Sequence, residues 1–488
     1  MRRRDFIKAV GMGIASLTLP RAALTAVAPS KRPNIVYVIL DELGYFELSC
    51  MGNQYLATPN IDRIAAEGMR FTQALAGAPV CAPTRSVLMT GQHTGHTTVR
   101  TNPGGVPLRE DDVTIAQVLK QAGYATGGFG KWGCGDRGTT GAPERHGFDI
   151  FYGYYHQVHA HCYYPCYLIR SGEKVPLEGN TGDFYKGKQY SHHLIFDETM
   201  KFIRQNRDKP FFCYACWTPP HGVWAIPEDE PAWQEFKNKP WTAGARKPDD
   251  AKLYAAMVKM VDRQIGEILA LLKELGIDDN TIVFVCGDNG GPGYFANGDP
   301  TKPKPKEPPY PHGFFGANLN PRTGQRFRGG KGNLYEGGLR IPMVVRWPGK
   351  IKANVVSDHL WYFADVMPTL AELAGVKTPE NTDGISIVPT LLGERAAGRK
   401  QRHHEYLYWE YGPQTAVRMG NWKAIRPGKN RPFELYDLSK DIEEKNDVAT
   451  EQPEILAKMR AYAEQAHTEN IPGGWIDQEK AFKGHQFQ

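Results

Sequence analysis

Short runs of consecutive apolar residues alternate along the chain with longer segments whose apolar positions recur every three or four residues. "NIVYVIL" (34–40) is apolar on both faces and rich in β-branched residues, the pattern of a strand buried in a parallel sheet, and it stops at Asp41-Glu42. "TPNIDRIAAEG" (58–68) predicts a helix with Thr58 at the N-cap, Pro59 at the first helical position and Gly68 at the end. "TIAQVLKQAG" (114–123) predicts another, followed by the strand "YATGGFGKW" ending near Lys131. The helical "FDETMKFIRQ" (196–205) precedes the strand "PFFCYACW", which runs into "TPPHG" with His221. An amphipathic helix from Ala251 to Leu275, stopped by Gly276, leads to the strand "TIVFVC" and then "GDNGG" with Asp288 and Asn289. Regular alternation of strand and helix predicts an α/β fold: a large, mostly parallel sheet flanked by helices.

The texture changes twice. Residues 291–330 are rich in Pro and Gly and predict a long surface insertion. From about His404, "EYLYWEYG", "TAVRMGNWKAIRP" and "FELYDLS" read as short antiparallel strands followed by a helix near 452–466. The expected organisation is a catalytic α/β domain over 31–400 and a smaller C-terminal α+β domain over 401–488. Residues 1–28 read as a leader. "RRRDFIKAVGMGIASLTLP" has a charged start and an apolar run too short to span a bilayer, and Arg3-Arg4-x-Phe6-Ile7-Lys8 fits the twin-arginine export pattern. Cleavage is expected near Ala26-Val27-Ala28, and no transmembrane segment is expected in the mature chain, which is placed in the periplasm or outside the cell.

Composition narrows the chemistry. The 488 residues are 41% hydrophobic with a net charge of +6, which suits an anionic substrate. No basic run is interleaved with aromatics and no zinc-finger spacing occurs, so nucleic acid is not an expected partner. The eight cysteines are too few for a disulfide scaffold of this length. Cys213 and Cys216 have C-x-x-C spacing, but inside an apolar strand, which disfavours a redox or metal role.

Cys81 stands out. In "PVCAPTRSVLMTG", Pro83 suits the first turn of a helix and Gly91 its end, so Cys81 is expected just before a short helix, with Arg85 in its first turn. That position favours anions, because unpaired N–H groups and the positive end of the dipole point at it. Asp41, Glu42, Lys131, His221, Asp288 and Asn289 each follow a predicted strand directly, and ligands of open α/β sheets bind outside the carboxyl ends of the strands. Asp41, Glu42, Asp288 and Asn289 are all oxygen donors, a set suited to a hard divalent cation, Ca²⁺ or Mg²⁺. Arg85, Lys131 and Lys331 would neutralise a tetrahedral oxyanion, and His221 would supply a proton. Lys331 follows Gly329-Gly330, a pair that permits close backbone approach.

"PNIVYVILDELGY", "CAPTRSVLMTG", "GYATGGFGKW", "CGDNGG" and "RGGKGNLYEGGLRIPMVVRWPG" together resemble the type I sulfatases of the alkaline-phosphatase-like superfamily, from about residue 33 to "ELYDLSKDIEEKNDVA". The resemblance implies that Cys81 is converted by a sulfatase-maturing enzyme to formylglycine, whose hydrated aldehyde is the nucleophile. It also implies that Asp41, Glu42, Asp288, Asn289 and the Cys81-derived residue hold calcium, and that Arg85 holds the hydrate. Lys131 and Lys331 would bind the sulfate, and His221 would protonate the leaving oxygen of a sulfated carbohydrate. The hydrate would attack sulfur and expel the alcohol, leaving a sulfated enzyme, and its second hydroxyl would then eliminate sulfate and restore the aldehyde.

Two positions depart from the family pattern. Glu42 replaces the usual Asp, and Gly133 stands where Gly-Lys-Trp-His has its histidine. "HQVHAHCYYP" offers His156, His159 and His161 nearby, of which His159 and His161 are the expected substitutes at the substrate. A phosphoester or phosphonate monoester hydrolase of the same superfamily, and a non-catalytic relative that binds sulfated glycans, remain alternative readings.

Overall fold

In chain order the strands are β1 (Asn34–Leu40), β2 (Met69–Phe71), β3 (Ala74–Leu75), β4 (Ala125–Lys131), β5 (Ile150–Tyr154), β6 (Tyr167–Arg170), β7 (Glu173–Pro176), β8 (Phe211–Trp217), β9 (Thr281–Gly287), β10 (Met343–Arg346), β11 (Val355–Ser357), β12 (Trp361–Tyr362), β13 (Leu407–Tyr411), β14 (Gln414–Met419), β15 (Trp422–Arg426) and β16 (Glu434–Asp437). The structure, a computed structural model, describes residues 32–241, 247–293, 315–316 and 318–484. The leader at 1–28 and most of the insertion expected at 291–330 lie outside the described residues.

Ten strands form one sheet in the order β11-β2-β10-β9-β1-β8-β4-β5-β6-β7. The central β9, β1, β8, β4 and β5 are mutually parallel. β10 joins one side of this block and β6 and β7 the other, all antiparallel to their inner neighbours. The all-apolar runs mark the central strands because both faces of this block are covered. Every position of β1, β8 and β9 is buried. Alternate residues of β8 enter opposite cores: Cys216 packs on one side of the sheet and Cys213 on the other. Their C-x-x-C spacing therefore holds the two thiols apart, and none of the eight cysteines forms a disulfide. Register aligns the strand ends. Leu40 of β1 is level with Trp217 of β8 and Gly287 of β9, while Gly130, one residue before Lys131, pairs with Cys216.

The expected helices form with small shifts. Pro59–Ala66 starts at its proline, and Ser191–Gln205 begins five residues before the apolar pattern does. Asp250–Glu274 carries one buried stripe along its length. No helix among the described residues is long and apolar enough to cross a membrane.

β13–β16 form a separate antiparallel meander. Its two faces differ, as strand alternation requires. Leu407, Trp409, Ala416 and Ile425 join the core beneath the large sheet, whereas Tyr408, Val417, Ala424 and Leu435 pack against the helix Pro453–Ala466. Charges also pin the meander. Lys423 is fully buried between Glu336, at 3.0 Å, and Glu444, at 2.8 Å. Glu336 also receives Arg340, and its other neighbour Arg418 stands 3.6 Å away. A lysine buried this deeply is tolerated only because carboxylates face it.

Candidate active site

The helix Cys81–Thr90 is buried at every residue and ends at Gly91, whose φ of 68° is the left-handed conformation that glycine adopts without a Cβ clash. It begins earlier than the sequence suggests. Cys81 is its first residue rather than the one before it, and Arg85 therefore lies in the second turn. The cause is Val80, which takes the extended N-cap conformation without any side-chain cap. Thr84 fixes the helix against the strand ends, since its hydroxyl donates to the Asp288 carbonyl at 2.9 Å and accepts from the Gly77 N–H at 2.9 Å.

Side chains from separate strand ends meet at Cys81. The thiol donates to Asp41 Oδ1 at 3.1 Å, and Lys131 Nζ holds Asp41 Oδ2 at 2.5 Å. Arg85 crosses beneath them, donating to Asp288 Oδ2 at 3.1 Å and to the Lys131 carbonyl at 2.5 Å. Glu42 takes a left-handed backbone, φ 61°, which is uncommon for a non-glycine residue. That turn directs its N–H to Asp288 Oδ1 at 3.0 Å and its carboxylate toward Lys331 and His221, with His221 Nε2 at 3.0 Å. Lys331 Nζ lies 3.3 Å from the same Nε2. The loop carrying Lys331 is tied on three sides: its N–H donates to the Gly291 carbonyl, the Gly332 N–H to the Pro79 carbonyl, and Gln414 Nε2 to the Gly332 carbonyl.

The electrostatics follow from this packing. Burial opposes ionisation of Asp41, yet Lys131, His221 and Arg85 outweigh it and hold the carboxyl well below its usual range. Glu42 behaves alike: burial opposes its charge, but His221 and Lys331 bring it down to about 2. Burial and the adjacent Asp41 push Asp288 up to about 7. Burial, with Asp41 beside it, also raises the Cys81 thiol to about 12, so the unmodified side chain is a protonated thiol and a poor nucleophile. Burial lowers His221, opposed by Glu42 and Asp41. Arg85, Lys131 and Lys331 face Asp41, Glu42 and Asp288, so the cluster is internally balanced. A divalent cation added to it creates a positive excess that an anionic ester would match.

The oxygen donors fit such a cation. Asn289 is fully buried, and while its Nδ2 donates to the Gly290 carbonyl at 3.0 Å, its Oδ1 has no hydrogen-bond partner. Buried amide oxygens are rarely left unsatisfied, and this one would be completed by a hard ion. The donors do not all face one point. Asp41, Cys81 and His221 present ligand atoms within 4.8 Å of one another, whereas the Glu42 carboxylate is turned toward Lys331 and His221.

The two histidines expected to stand in for the one missing at Gly133 separate. His161 stacks on His221, ring centroids 4.3 Å apart and planes 15° from parallel, and burial holds it neutral. His159 does not share that stack; it packs among Tyr154, Tyr167 and Phe482. The 3₁₀ turn His159–His161 places its first and last rings in different surroundings.

Position 133 itself has an unanticipated neighbour. Gly133 has φ 82°, and a Cβ built there would lie 2.9 Å from Gln157 Oε1 and 3.4 Å from Arg85 Cδ. Gln157 Nε2 donates to Asn102 Oδ1 at 2.9 Å, and the same oxygen accepts from the Ala82 N–H at 3.0 Å. Because the Ala82 N–H can only donate, Asn102 must present oxygen, and Gln157 must present nitrogen to it. Gln157 Oε1 is therefore the atom left facing Gly133, buried and without a partner. Nothing in the local sequence marks Gln157. Its place depends on the pairing of β4 with β5, extended by the Gly133 N–H to the Tyr155 carbonyl at 3.2 Å.

Comparison with known proteins agrees with this geometry. The Sulfatase family signature matches residues 33–376, and that of the N-sulphoglucosamine sulphohydrolase C-terminal region matches residues 329–469. The chain is 30% identical to human (Homo sapiens) arylsulfatase A over 501 residues, spanning 91% of this chain and 89% of the relative. It is 29% identical to an N-acetylgalactosamine-6-O-sulfatase of Bacteroides thetaiotaomicron over 512 residues, spanning 90% of this chain and 94% of the relative. The crystal structure of Ps i-CgsB in complex with k-i-k-neocarrahexaose superposes with a TM-score of 0.72 at 27% identity, covering 91% of this chain and 95% of that one. The chain belongs to the sulfatase family and is a sulfuric ester hydrolase of the alkaline-phosphatase-like fold.

Proposed function

We propose that this sulfatase hydrolyses a sulfate ester on a carbohydrate, at the cluster centred on Cys81. The observation that carries the reading is the convergence of Cys81, Asp41, Lys131, Arg85, His221 and Lys331 at one edge of the parallel sheet. The carbohydrate is supported by relatives named N-acetylgalactosamine-6-sulfatases and by the k-i-k-neocarrahexaose in complex with Ps i-CgsB. Formylglycine, formed from Cys81 by a maturing enzyme, would supply an oxygen nucleophile, and Ca²⁺, favoured over Mg²⁺ because it tolerates irregular oxygen cages, would polarise the sulfate when bound.

The chain's own residues do the rest. Lys131, paired with Asp41, and Lys331, paired with Glu42, hold the charge of the sulfate oxygens. Arg85 is buried under residue 81 and fixes it relative to Asp288. His221 Nε2 holds a proton between Glu42 and Lys331 and delivers it to the leaving oxygen. His161, stacked on that ring, keeps it in place. Asp41, Glu42, Asp288 and Asn289 would hold the calcium. The Arg3-Arg4 leader supports export of the folded enzyme, after cytoplasmic conversion of Cys81, to the periplasm or beyond.

Two measurements test this reading. A sulfate ester and a phosphate ester of the same alcohol are compared first; the sulfate ester is expected to react faster, and the reverse order assigns the site to phosphoryl transfer. Elemental analysis then reads the metal. Stoichiometric calcium is expected in the purified protein and is lost with activity in Asp288→Ala, which removes an oxygen ligand and a negative charge together. Full activity after exhaustive chelation, with no metal bound, overturns the cation site.

A further inference from the structure

Beyond Gln157 the chain builds a cleft of about 320 Å³ that the hydrolytic cluster does not use. Its walls include Gly104, Gly105, His156, Pro472, Trp475 and Phe482. Two of its walls are carried on segments that also reach the active site. Asn102, which holds the Ala82 N–H next to Cys81, is two residues from Gly104, at most about 7 Å of extended chain. Gln157, facing Gly133, is the immediate neighbour of His156.

The outer wall is a C-terminal strap that is well anchored. Ile476 and Asp477 each donate an N–H to the Gly138 carbonyl at 2.8 Å, Thr140 donates to the Gly474 carbonyl at 2.9 Å, and the Phe482 N–H donates to Asp136 Oδ2 at 2.7 Å. This strap holds Trp475 at 43% exposure, an unusual state for the largest apolar side chain. Ile471 and Ile476 of the same strap are exposed as well, as is Val158, two residues after His156. The His156 ring lies between the glycines and Phe482, stacked on the latter at 4.6 Å.

The lining defines the ligand's chemistry. His156 Nδ1 accepts the Val158 N–H at 3.1 Å, which leaves the proton of the neutral ring on Nε2 as a donor. Burial keeps that ring neutral, with its pKa lowered to about 4. Both oxygens of Asp136, the charged residue of the lining, already accept backbone N–H groups, from Arg137 and Phe482. An aromatic face, one neutral donor and no free charge suit an uncharged pyranose, whose C–H face stacks on an indole while its hydroxyls accept hydrogen bonds.

We propose that this cleft is a subsite for the neutral sugar next to the sulfated one, with Trp475 as its platform and His156 Nε2 as its donor. The proposal rests on the carbohydrate sulfatase reading and deepens it: the preferred substrate is an oligosaccharide, not a free monosaccharide.

The test compares N-acetylgalactosamine 6-sulfate with a trisaccharide that ends in the same sulfated residue and continues in neutral sugars. The unsubstituted protein is expected to favour the trisaccharide in kcat/KM. Trp475→Ala is expected to lower kcat/KM for the trisaccharide by about 3- to 10-fold, the scale of one aromatic stacking contact, and Trp475→Phe to retain most of it. The monosaccharide should be hydrolysed equally by all three proteins, which also reports that the variants fold. Equal kcat/KM for the two substrates, or equal losses on both in Trp475→Ala, overturns the subsite while leaving the sulfatase reading intact. A dimer dissociated by Trp475→Ala without any change in kcat/KM assigns the patch to a second copy instead. If neither saccharide is cleaved while nitrophenyl sulfate is, the carbohydrate reading fails and the subsite falls with it.

Discussion

Cys81→Ala is expected to lower turnover by at least about 10⁴-fold, the scale seen when an enzyme loses its nucleophile but keeps its binding groups. Cys81 is fully buried at a helix start, with Asp41 on its thiol and Lys131 one contact further on. Burial beside a carboxylate keeps a thiol protonated and a poor nucleophile, which agrees with the proposed conversion of this side chain before it acts. Mass spectrometry of the peptide carrying residue 81, from a host that has a maturing enzyme, is expected to show formylglycine. An active protein with an unmodified cysteine, or a fully active Cys81→Ala, overturns the assignment.

His221→Ala is expected to lose about 10²–10⁴-fold on a sugar sulfate, the usual contribution of a general acid, and much less on nitrophenyl sulfate. A sugar alkoxide leaves poorly without a proton, whereas nitrophenolate needs little help. His221 Nε2 sits between Glu42 and Lys331, where a proton can be held and passed on. Steady-state kinetics on the two substrates decide the question. Equal losses on both would assign His221 to sulfate binding, because binding does not depend on the leaving group.

The parts of this site that sequence reveals are those fixed by strand ends. Asp41, Lys131 and Asp288 were legible because all-apolar runs identify parallel strands, and parallel strands bring their carboxyl ends together. β5, β6 and β7 were not: each is only four or five residues long, and β6 and β7, toward the edge of the sheet, mix charged with apolar residues. His159 and His161 could not be told apart, because the turn that separates them is one 3₁₀ step whose direction depends on tertiary packing. Gln157 was invisible for a related reason. Its partners, Gly133 and Asn102, are distant in sequence and meet it only through strand pairing. The helix start at Cys81 was misplaced by one residue because Val80, a poor N-cap by type, is held there by the fold.

The buried charges beneath β15 set where this chain can be recombined with its relatives. Lys423 on the C-terminal meander is neutralised by Glu336, five residues after Lys331, and Gln414 holds the Gly332 carbonyl of the same loop. A chimera that takes the meander from one parent and residues 328–340 from another splits this buried pair between parents, at a cost of about 3–5 kcal/mol when one partner is lost. Viable crossovers should therefore fall before residue 328, so that Lys331 is inherited together with the meander that supports it.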